Sequence, residues 1–183
     1  MDSEDADLVG RWQRGDPLAF EALVQRWQEP IARFLHRFTG RREWVRDLSQ
    51  EVFLRVYQAR ERYRDNGEFP SWLYRIAINV ARDAARKNRH RAATLPEELK
   101  DCSPPVDATC QEQELANVVL KALDEMPQEQ RLVLVLRHYE QMSFESIARL
   151  TGVPASTLKS RFAAALDRLR CRLEAMGYGP EET

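Results

Sequence analysis

Apolar residues recur every three to four positions along most of this chain, which is the period of an amphipathic α-helix. No segment alternates apolar and polar residues between turn signals, as a half-buried strand would. The pattern predicts an all-α fold. The expected helices cover residues 5–14, from Pro17 to Thr39, 41–62, from Phe69 onward, 111–124, from Pro127 onward, from Phe144 to Gly152, and from Pro154 to Leu173.

The last two helices are joined by a short turn. Gly152 suits a helix end at positive φ, and Pro154 suits the first turn of the next helix, where its missing N–H is not needed. This arrangement is typical of a helix-turn-helix, whose second helix enters the major groove of DNA, although an αα-hairpin in a bundle has the same spacing. The second helix has an apolar stripe, predicted to face inward, of Leu158, Phe162, Ala165, Leu166, Leu169 and Leu173.

The predicted helix 41–62 has two different faces. Its core stripe consists of Trp44, Val45, Leu48, Val52 and Val56. Beside this stripe, Asp47, Gln50 and Glu51 stand next to Leu54. A mixed apolar and acidic flank fits either a protein-docking surface or a solvated helix face.

The predicted helix from Phe69 has a ridge of Arg75, Asn79, Arg82 and Arg86, which 100° per residue places on one side. Such a ridge suits a phosphate backbone, with Asn79 available for a base edge, or is a solvated basic face. Three aromatic side chains nearby either offer ring faces to single-stranded bases or belong to the core, namely Tyr63, Trp72 and Tyr74.

Charge is distributed unevenly although the net charge is −1. Residues 1–90 carry 17 basic and 14 acidic side chains, whereas residues 111–183 carry 9 and 11. Residues 92–110 contain three prolines and four acidic residues, which favours a flexible linker. We therefore predict two small helical domains, residues 1–91 and 111–175, joined by the linker 92–110.

Composition disfavours several other classes of protein. No apolar run reaches the roughly 18 residues of a membrane span, and the acidic N-terminus is unlike a signal peptide, so we expect a cytoplasmic protein. The cysteines Cys102, Cys110 and Cys171 lack metal-like spacing and are expected to be free thiols. No Gly-rich phosphate loop or nucleophile pairing is found, so we expect no catalytic residues, metal, cofactor or small-molecule substrate.

Three segments in order resemble one known family. They are RDLSQEVFLRVY at Arg46–Tyr57, FPSWLYRIAINVARD at Phe69–Asp83, and MPQEQRLVLVLRHYEQMSFESIARLTGVPASTLKSR at Met126–Arg161. The chain resembles the extracytoplasmic-function sigma factors of the sigma-70 family. The resemblance implies a dissociable transcription initiation factor that binds bacterial core RNA polymerase and promoter DNA and is not an enzyme.

The resemblance also implies roles for matched residues. The surface for the clamp-helix coiled coil of the largest polymerase subunit would consist of Asp47, Leu48, Gln50, Glu51 and Leu54. Residues expected at the promoter −10 element are Tyr63, Trp72, Arg75, Asn79, Arg82 and Arg86. Residues expected at the −35 element are Ser156, Thr157, Lys159, Ser160, Arg161 and Arg168.

Two further expectations follow from the resemblance. Family members are commonly held inactive by an anti-sigma factor, often anchored in the membrane. The second expectation concerns the −35 element: Ala163, Ala164 and Leu166 stand where the family often has His or Arg, so we expect −35 recognition through phosphates and DNA shape. The alternative to a sigma factor is a helix-turn-helix regulator that binds duplex DNA as a dimer.

Overall fold

The computed structural model describes residues 3–64, 68–92 and 118–178, and these residues form helices and connecting turns. Two compact units divide the chain, the first formed by Met1–His36 and Glu43–Leu99, the second by Arg37–Arg42 and Lys100–Thr183. The predicted all-α class is confirmed. The predicted linker 92–110 lies outside the described residues apart from its first position.

Four helices belong mainly to the first unit: α1 (Ser3–Gln13), α2 (Pro17–Thr39), α3 (Arg42–Gln58) and α4 (Phe69–Ala92). The predicted start of α2 is confirmed, because Asp16 accepts hydrogen bonds from the amides of Leu18 at 3.0 Å and Ala19 at 3.4 Å. Its other carboxylate oxygen accepts from Arg11 at 2.8 Å. Asp16 thus caps α2 and ties it to α1. Pro30 lies within α2.

The core of the first unit is built around Trp12. Its buried ring lies with centroids 6.0 Å from Phe20 and Tyr63, and 6.4 Å from Phe69 and Trp72. α1 therefore closes the end of this core at which α4 begins. Aromatic pairs at these separations add directional contacts to the burial of apolar area.

The second unit contains α5 (residues 118–124), α6 (Gln128–Leu134), which continues as a π-helical turn at Val135–Tyr139, α7 (Phe144–Thr151) and α8 (Ala155–Ala175). The part of the predicted helix at 111–117 lies outside the described residues. A cluster in the core of the second unit consists of Leu123, Met126, Leu134 and Ala165, with Val119, Tyr139, Phe162 and Leu169 packed against it.

The turn between α7 and α8 has the predicted geometry. Gly152 has φ 74° and donates its N–H to the carbonyl of Ala148 at 2.8 Å. Pro154 directly precedes the first residue of α8, and its carbonyl accepts from the amide of Leu158 at 3.0 Å. At the other end of α7, Ser143 accepts from the amide of Ser146 at 3.0 Å as an N-cap. α7 and α8 therefore form a helix-turn-helix.

The inward stripe predicted for α8 is wrong at Leu166, which is 43% exposed. Leu158 and Ala165 are buried as predicted. α8 has 21 residues, whereas its partners α6 and α7 have 7 and 8. At 1.5 Å per residue these shorter helices cannot cover the whole length of α8.

Candidate nucleic-acid interface

The flank of α3 is a mixed apolar and acidic surface, as predicted. Asp47 and Gln50 are exposed, and Leu54 is 50% exposed. Leu48 is only 7% exposed, so it packs in the core and the prediction that it lies on this surface is wrong. Because a leucine that is half exposed on a helix gains little from folding, Leu54 is better placed for a partner.

Tyr57 extends this surface, although the family resemblance did not assign it a role. It is 52% exposed, and its ring centroid lies 5.2 Å from that of Phe20 on α2. We name the surface of Asp47, Gln50, Glu51, Leu54 and Tyr57 the α3 surface. The i, i+3 spacing of Leu54 and Tyr57 is the signal that indicates it.

The ridge of α4 is accessible. Arg75, Asn79 and Arg86 are exposed, and Arg82 is partly exposed. Asp83 is the only acidic residue between positions 82 and 91, where five residues are Arg or Lys. We name Arg75, Asn79, Arg82 and Arg86 the α4 ridge. An array of guanidinium groups on one helix face can hold several successive phosphates.

Two of the three aromatic side chains predicted beside this ridge are in the core. Tyr63 and Tyr74 are each 4% exposed, so the prediction that they present ring faces is wrong. Tyr63 packs against Trp72 with ring centroids 4.3 Å apart, and Tyr74 packs edge-on against Phe34 at 5.1 Å. Trp72 is partly exposed and is the one of the three that can meet a base directly.

A chain of four charged side chains joins α3 to α4. Arg55 donates through Nε to Glu51 at 2.7 Å and through Nη1 to Asp83 at 3.1 Å. The other oxygen of Asp83 accepts from Arg86 at 3.2 Å. The hydrogen bond to Glu51 and then that to Asp83 raise the pKa of Arg55, so this guanidinium stays charged. Sequence periodicity gave no signal for a contact between residues 28 positions apart.

Most of the α8 residues predicted at the −35 element are accessible. Ser156, Lys159, Ser160 and Arg168 are exposed, and Thr157 is partly exposed. Arg161 is held within the unit, because its Nη1 donates to Glu129 of α6 at 3.0 Å. Ser160 donates its hydroxyl to the carbonyl of Thr157 at 2.9 Å. The surface thus offers small polar groups between positive charges.

Positive charge also gathers around Phe144 at the start of α7. The guanidinium of Arg137 lies 5.5 Å and the ammonium of Lys159 5.9 Å from its ring centroid. The backbone hydrogen bond at Glu145, its contact with Ser143, and the charges of Lys159 and Arg137 lower the pKa of Glu145. An ionised Glu145 thus offsets part of the positive charge beside the helix-turn-helix.

Among residues 3–64, 68–92 and 118–178, no three His, Cys, Asp or Glu side chains are grouped as a metal site. Cys171 is an exposed free thiol on α8. Cys102 and Cys110 lie outside the described residues. Within the part of the chain that the structure describes, no helix is long and apolar enough to cross a membrane.

Family models match both units. The sigma-70 region 2 model matches residues 23–91, and the sigma-70 region 4 model matches residues 116–169. The first range contains the α3 surface and the α4 ridge. The second contains the helix-turn-helix and the core that supports it.

Relatives match over nearly the full length. The RNA polymerase sigma-H factor of Pseudomonas aeruginosa is 32% identical, over 94% of this chain and 95% of the relative. The ECF RNA polymerase sigma-E factor of Escherichia coli K12 is 29% identical, over 94% and 95%. The alignment therefore includes both units and the segment between them.

Solved structures share the fold. The sigma factor RpoE in complex with the anti-sigma factor NepR from Bartonella quintana superposes with a TM-score of 0.73 at 20% identity, covering 85% of this chain and 96% of that one. CnrH in complex with the cytosolic domain of CnrY gives a TM-score of 0.68 at 24% identity, covering 94% and 98%. With two matching sigma-70 regions and a relative 32% identical along almost its whole length, the chain belongs to the extracytoplasmic-function sigma factors of the sigma-70 family, which direct RNA polymerase to promoters.

Proposed function

We propose a division of labour within this sigma factor. Residues 1–91 bind core RNA polymerase and open the −10 element, residues 92–110 link the units, and residues 111–175 bind the −35 element. The observation that carries this proposal is the pair of adjacent surfaces on α3 and α4. One is apolar and acidic, and the other carries three arginines and one asparagine.

The α3 surface is the proposed docking site for polymerase. Leu54 and Tyr57 supply apolar area, while Asp47 and Glu51 supply negative charge. Partly exposed apolar side chains flanked by charge are typical of a dissociable interface, where apolar contacts give affinity and charges steer association. Leu48 supports the surface from the core.

The α4 ridge is the proposed −10 reader. Its arginines hold phosphates of the non-template strand, Asn79 hydrogen-bonds an unpaired base, and the partly exposed Trp72 provides a ring for stacking. Extruding a base costs a few kcal/mol, which stacking and phosphate contacts offset. The buried Tyr63 acts here by supporting Trp72.

The helix α8 is the proposed −35 reader. Ser156, Thr157, Ser160 and the alanines let the helix lie deep in the major groove, while Lys159 and Arg168 contact phosphates. Short hydroxyl groups discriminate bases less sharply than bidentate arginine does. DNA shape and backbone contacts therefore contribute most of the −35 affinity.

Transcription with purified components tests the assignment. Core RNA polymerase is incubated with genomic fragments, with and without this protein, and RNA 5′ ends are mapped. New start sites that share two spaced upstream elements are the expected result. A matched variant, Asn79→Ala, should lower initiation at those sites while leaving binding to core polymerase unchanged.

The opposite result would favour a dimeric helix-turn-helix regulator. In that case no new start sites form, and the isolated protein binds duplex DNA tightly.

A sigma factor of this kind contributes no chemistry of its own, because nucleotide addition takes place on the polymerase. We accordingly infer that the protein is not an enzyme and that it acts in the bacterial cytoplasm, where promoter DNA is found.

We also propose control by an anti-sigma factor, which can be membrane-anchored. The resemblance to the family supports this, and the fold is shared with a sigma factor that was crystallised with its anti-sigma factor. An inhibitor that covers the α3 surface would block polymerase binding. Co-expression with a candidate inhibitor should abolish capture of core polymerase by this protein, and unchanged capture would exclude that candidate.

A further inference from the structure

The chain of alternating charges on α3 and α4 connects two surfaces with different proposed partners. Glu51 belongs to the α3 surface and Arg86 to the α4 ridge. Arg55 and Asp83 stand between them, with contacts of 2.7 Å to Glu51, 3.1 Å between Arg55 and Asp83, and 3.2 Å to Arg86. All four side chains are within the first unit.

Asp83 contacts both arginines of this series of charged side chains. Each of its carboxylate oxygens accepts from a different guanidinium, Oδ2 from Arg55 and Oδ1 from Arg86. The side chain of Arg86 is 69% exposed, whereas those of Arg55 and Asp83 are each 35% exposed. An exposed ion pair with a single contact is weak and exchanges readily, so Arg86 is the member that can leave.

We propose that Asp83 and Arg55 are positioning residues: Asp83 holds Arg86 away from DNA, and Arg55 displaces Arg86 from Asp83 when polymerase occupies the α3 surface. This inference rests on the proposed roles of the α3 surface and the α4 ridge. In the isolated protein, Asp83 neutralises one charge of the ridge. The ridge is therefore weaker for phosphates than its sequence indicates.

Polymerase docking changes which of the charged side chains on α3 and α4 pair with each other. A basic group of the partner takes the carboxylate of Glu51, as the negative charge of the α3 surface favours. Arg55 then loses its contact with Glu51. Its planar guanidinium donates through two N–H groups to Asp83, which is the geometry that arginine prefers with a carboxylate. Both oxygens of Asp83 are then occupied by Arg55, and Arg86 is released to a phosphate.

A purely structural role for these four charged side chains predicts a different effect on DNA binding. If Arg55 and Asp83 only cross-link α3 and α4, removing either one loosens α4 and weakens DNA binding in every state. The positioning role predicts tighter binding after removal of Asp83, and only before polymerase docks. The sign of the effect therefore separates the two roles.

The isolated protein is tested first, with a fluorescein-labelled oligo(dT) strand of about 12 nucleotides, because a single strand binds through stacking and phosphate contacts. Asp83→Asn should tighten binding about twofold to fivefold at low salt, as expected for loss of a weak exposed ion pair, and steepen the slope of log K against log[salt] by about 0.7, the value for one added phosphate contact on a single strand. Asp83→Asn in the Arg86→Gln background should give no gain.

Glu51 provides a second test from the other helix. In the isolated protein, Glu51→Gln imitates docking by releasing Arg55, so it should also tighten binding. Arg55→Gln should cancel that gain. Glu21→Gln on α2 makes the same change in net charge at an exposed position and should have no effect.

The holoenzyme is tested next, with the −10 strand of a mapped promoter and with core polymerase alone as background. Asp83→Asn should give no gain here, because Arg86 is already released. Arg55→Gln should weaken binding, and the added Asp83→Asn should restore it. Circular dichroism confirms that each variant is folded.

Several results would overturn the positioning role. These are a gain from Asp83→Asn that survives Arg86→Gln, an equal gain in holoenzyme and isolated protein, or no gain in the isolated protein. The oligo(dT) arm does not need polymerase. Failure of the wild-type protein to direct new start sites would thus count against the proposed function, separately from the fate of the charge chain.

Discussion

Arg161 on the recognition helix lies 3.0 Å from a carboxylate oxygen of Glu129, 32 residues earlier on α6. The pair occupies the point where α6 supports α8, and both side chains are partly exposed. Glu129 therefore restrains a positive charge that would otherwise be available for the DNA backbone. In this respect the −35 reader resembles the α4 ridge, where Asp83 restrains Arg86.

Glu129→Gln should strengthen holoenzyme binding to a promoter fragment. Releasing one arginine adds about one phosphate contact, which steepens the slope of log K against log[salt] by about 0.9 on duplex DNA. Glu174→Gln makes the same charge change near the C-terminal end of α8 and should have no such effect. A gain that persists in the Arg161→Gln background would show that Arg161 is not the released group.

A scan of the −35 element should give shallow penalties. Ser156 and Ser160 carry single hydroxyl groups, and that of Ser160 already donates to the carbonyl of Thr157. We expect most base substitutions to cost less than about 1 kcal/mol in holoenzyme binding, whereas direct contacts typically cost about 1–3 kcal/mol. Several positions with penalties of about 2–3 kcal/mol would contradict recognition through shape and phosphates.

Leu48 and Leu54, six residues apart on α3, should separate folding from docking. Leu48→Ala removes a buried side chain and should lower the free energy of unfolding by about 2–4 kcal/mol. Leu54→Ala should leave unfolding almost unchanged but weaken polymerase binding by about 1–2 kcal/mol. Urea unfolding and fluorescence titration with core polymerase measure the two effects. If Leu48→Ala weakened polymerase binding without lowering the free energy of unfolding, Leu48 would belong to the docking surface after all.

The contrast between these leucines shows what sequence patterns resolve. Local signals gave reliable predictions where the structure depends on neighbouring residues, as at Pro17, the first residue of α2, and at Gly152, which follows α7. The apolar stripe of α3 also identified Leu48 as core. Its assignment to the docking surface came from the family resemblance, and burial contradicts it.

The remaining differences depend on contacts between distant parts of the chain. Tyr63 and Tyr74 are buried because α1 and α2 supply Trp12 and Phe34, and nothing in the sequence around the tyrosines specifies those partners. The Arg55–Asp83 pair likewise joins two helices whose relative rotation is set by core packing. Periodicity shows which face of a helix is apolar but not how far a neighbouring helix covers it.

Two glycines should respond in opposite directions to alanine. Gly152 has φ +74° with no atom within 4 Å of an added Cβ, so Gly152→Ala should cost about 1 kcal/mol through backbone strain alone. Gly10 lies inside α1, where an added Cβ meets only the end of the Arg14 side chain at 3.4 Å. Gly10→Ala should stabilise the protein by about 0.5 kcal/mol. Urea unfolding followed by circular dichroism checks both signs.

Asp16 should make stability depend on acid pH. The hydrogen bond from Arg11, aided by the amides of Ala19 and Leu18, lowers the pKa of Asp16 below its ordinary value of 3.8. Because the folded-state pKa is the lower one, the stabilisation by Asp16 is complete above the unfolded pKa. It is lost as the pH falls through the folded pKa, when the carboxylate takes up a proton and releases Arg11.

Thermal unfolding of Asp16→Ala against the wild type measures this contribution. At pH 5–7 the variant should melt at a lower temperature by a constant interval, because it lacks both the N-cap and the ion pair. Below about pH 4 the interval should narrow, since the wild-type carboxylate is then being protonated. Asp16→Asn keeps a capping oxygen and should lie between the two at neutral pH.

Asp7→Ala is the matched control, because Asp7 is exposed and lies 3.8 Å from the same Arg11. An interval that stays constant down to pH 2 would mean that the Asp16 charge does not stabilise the fold, leaving α2 capped by hydrogen bonds alone.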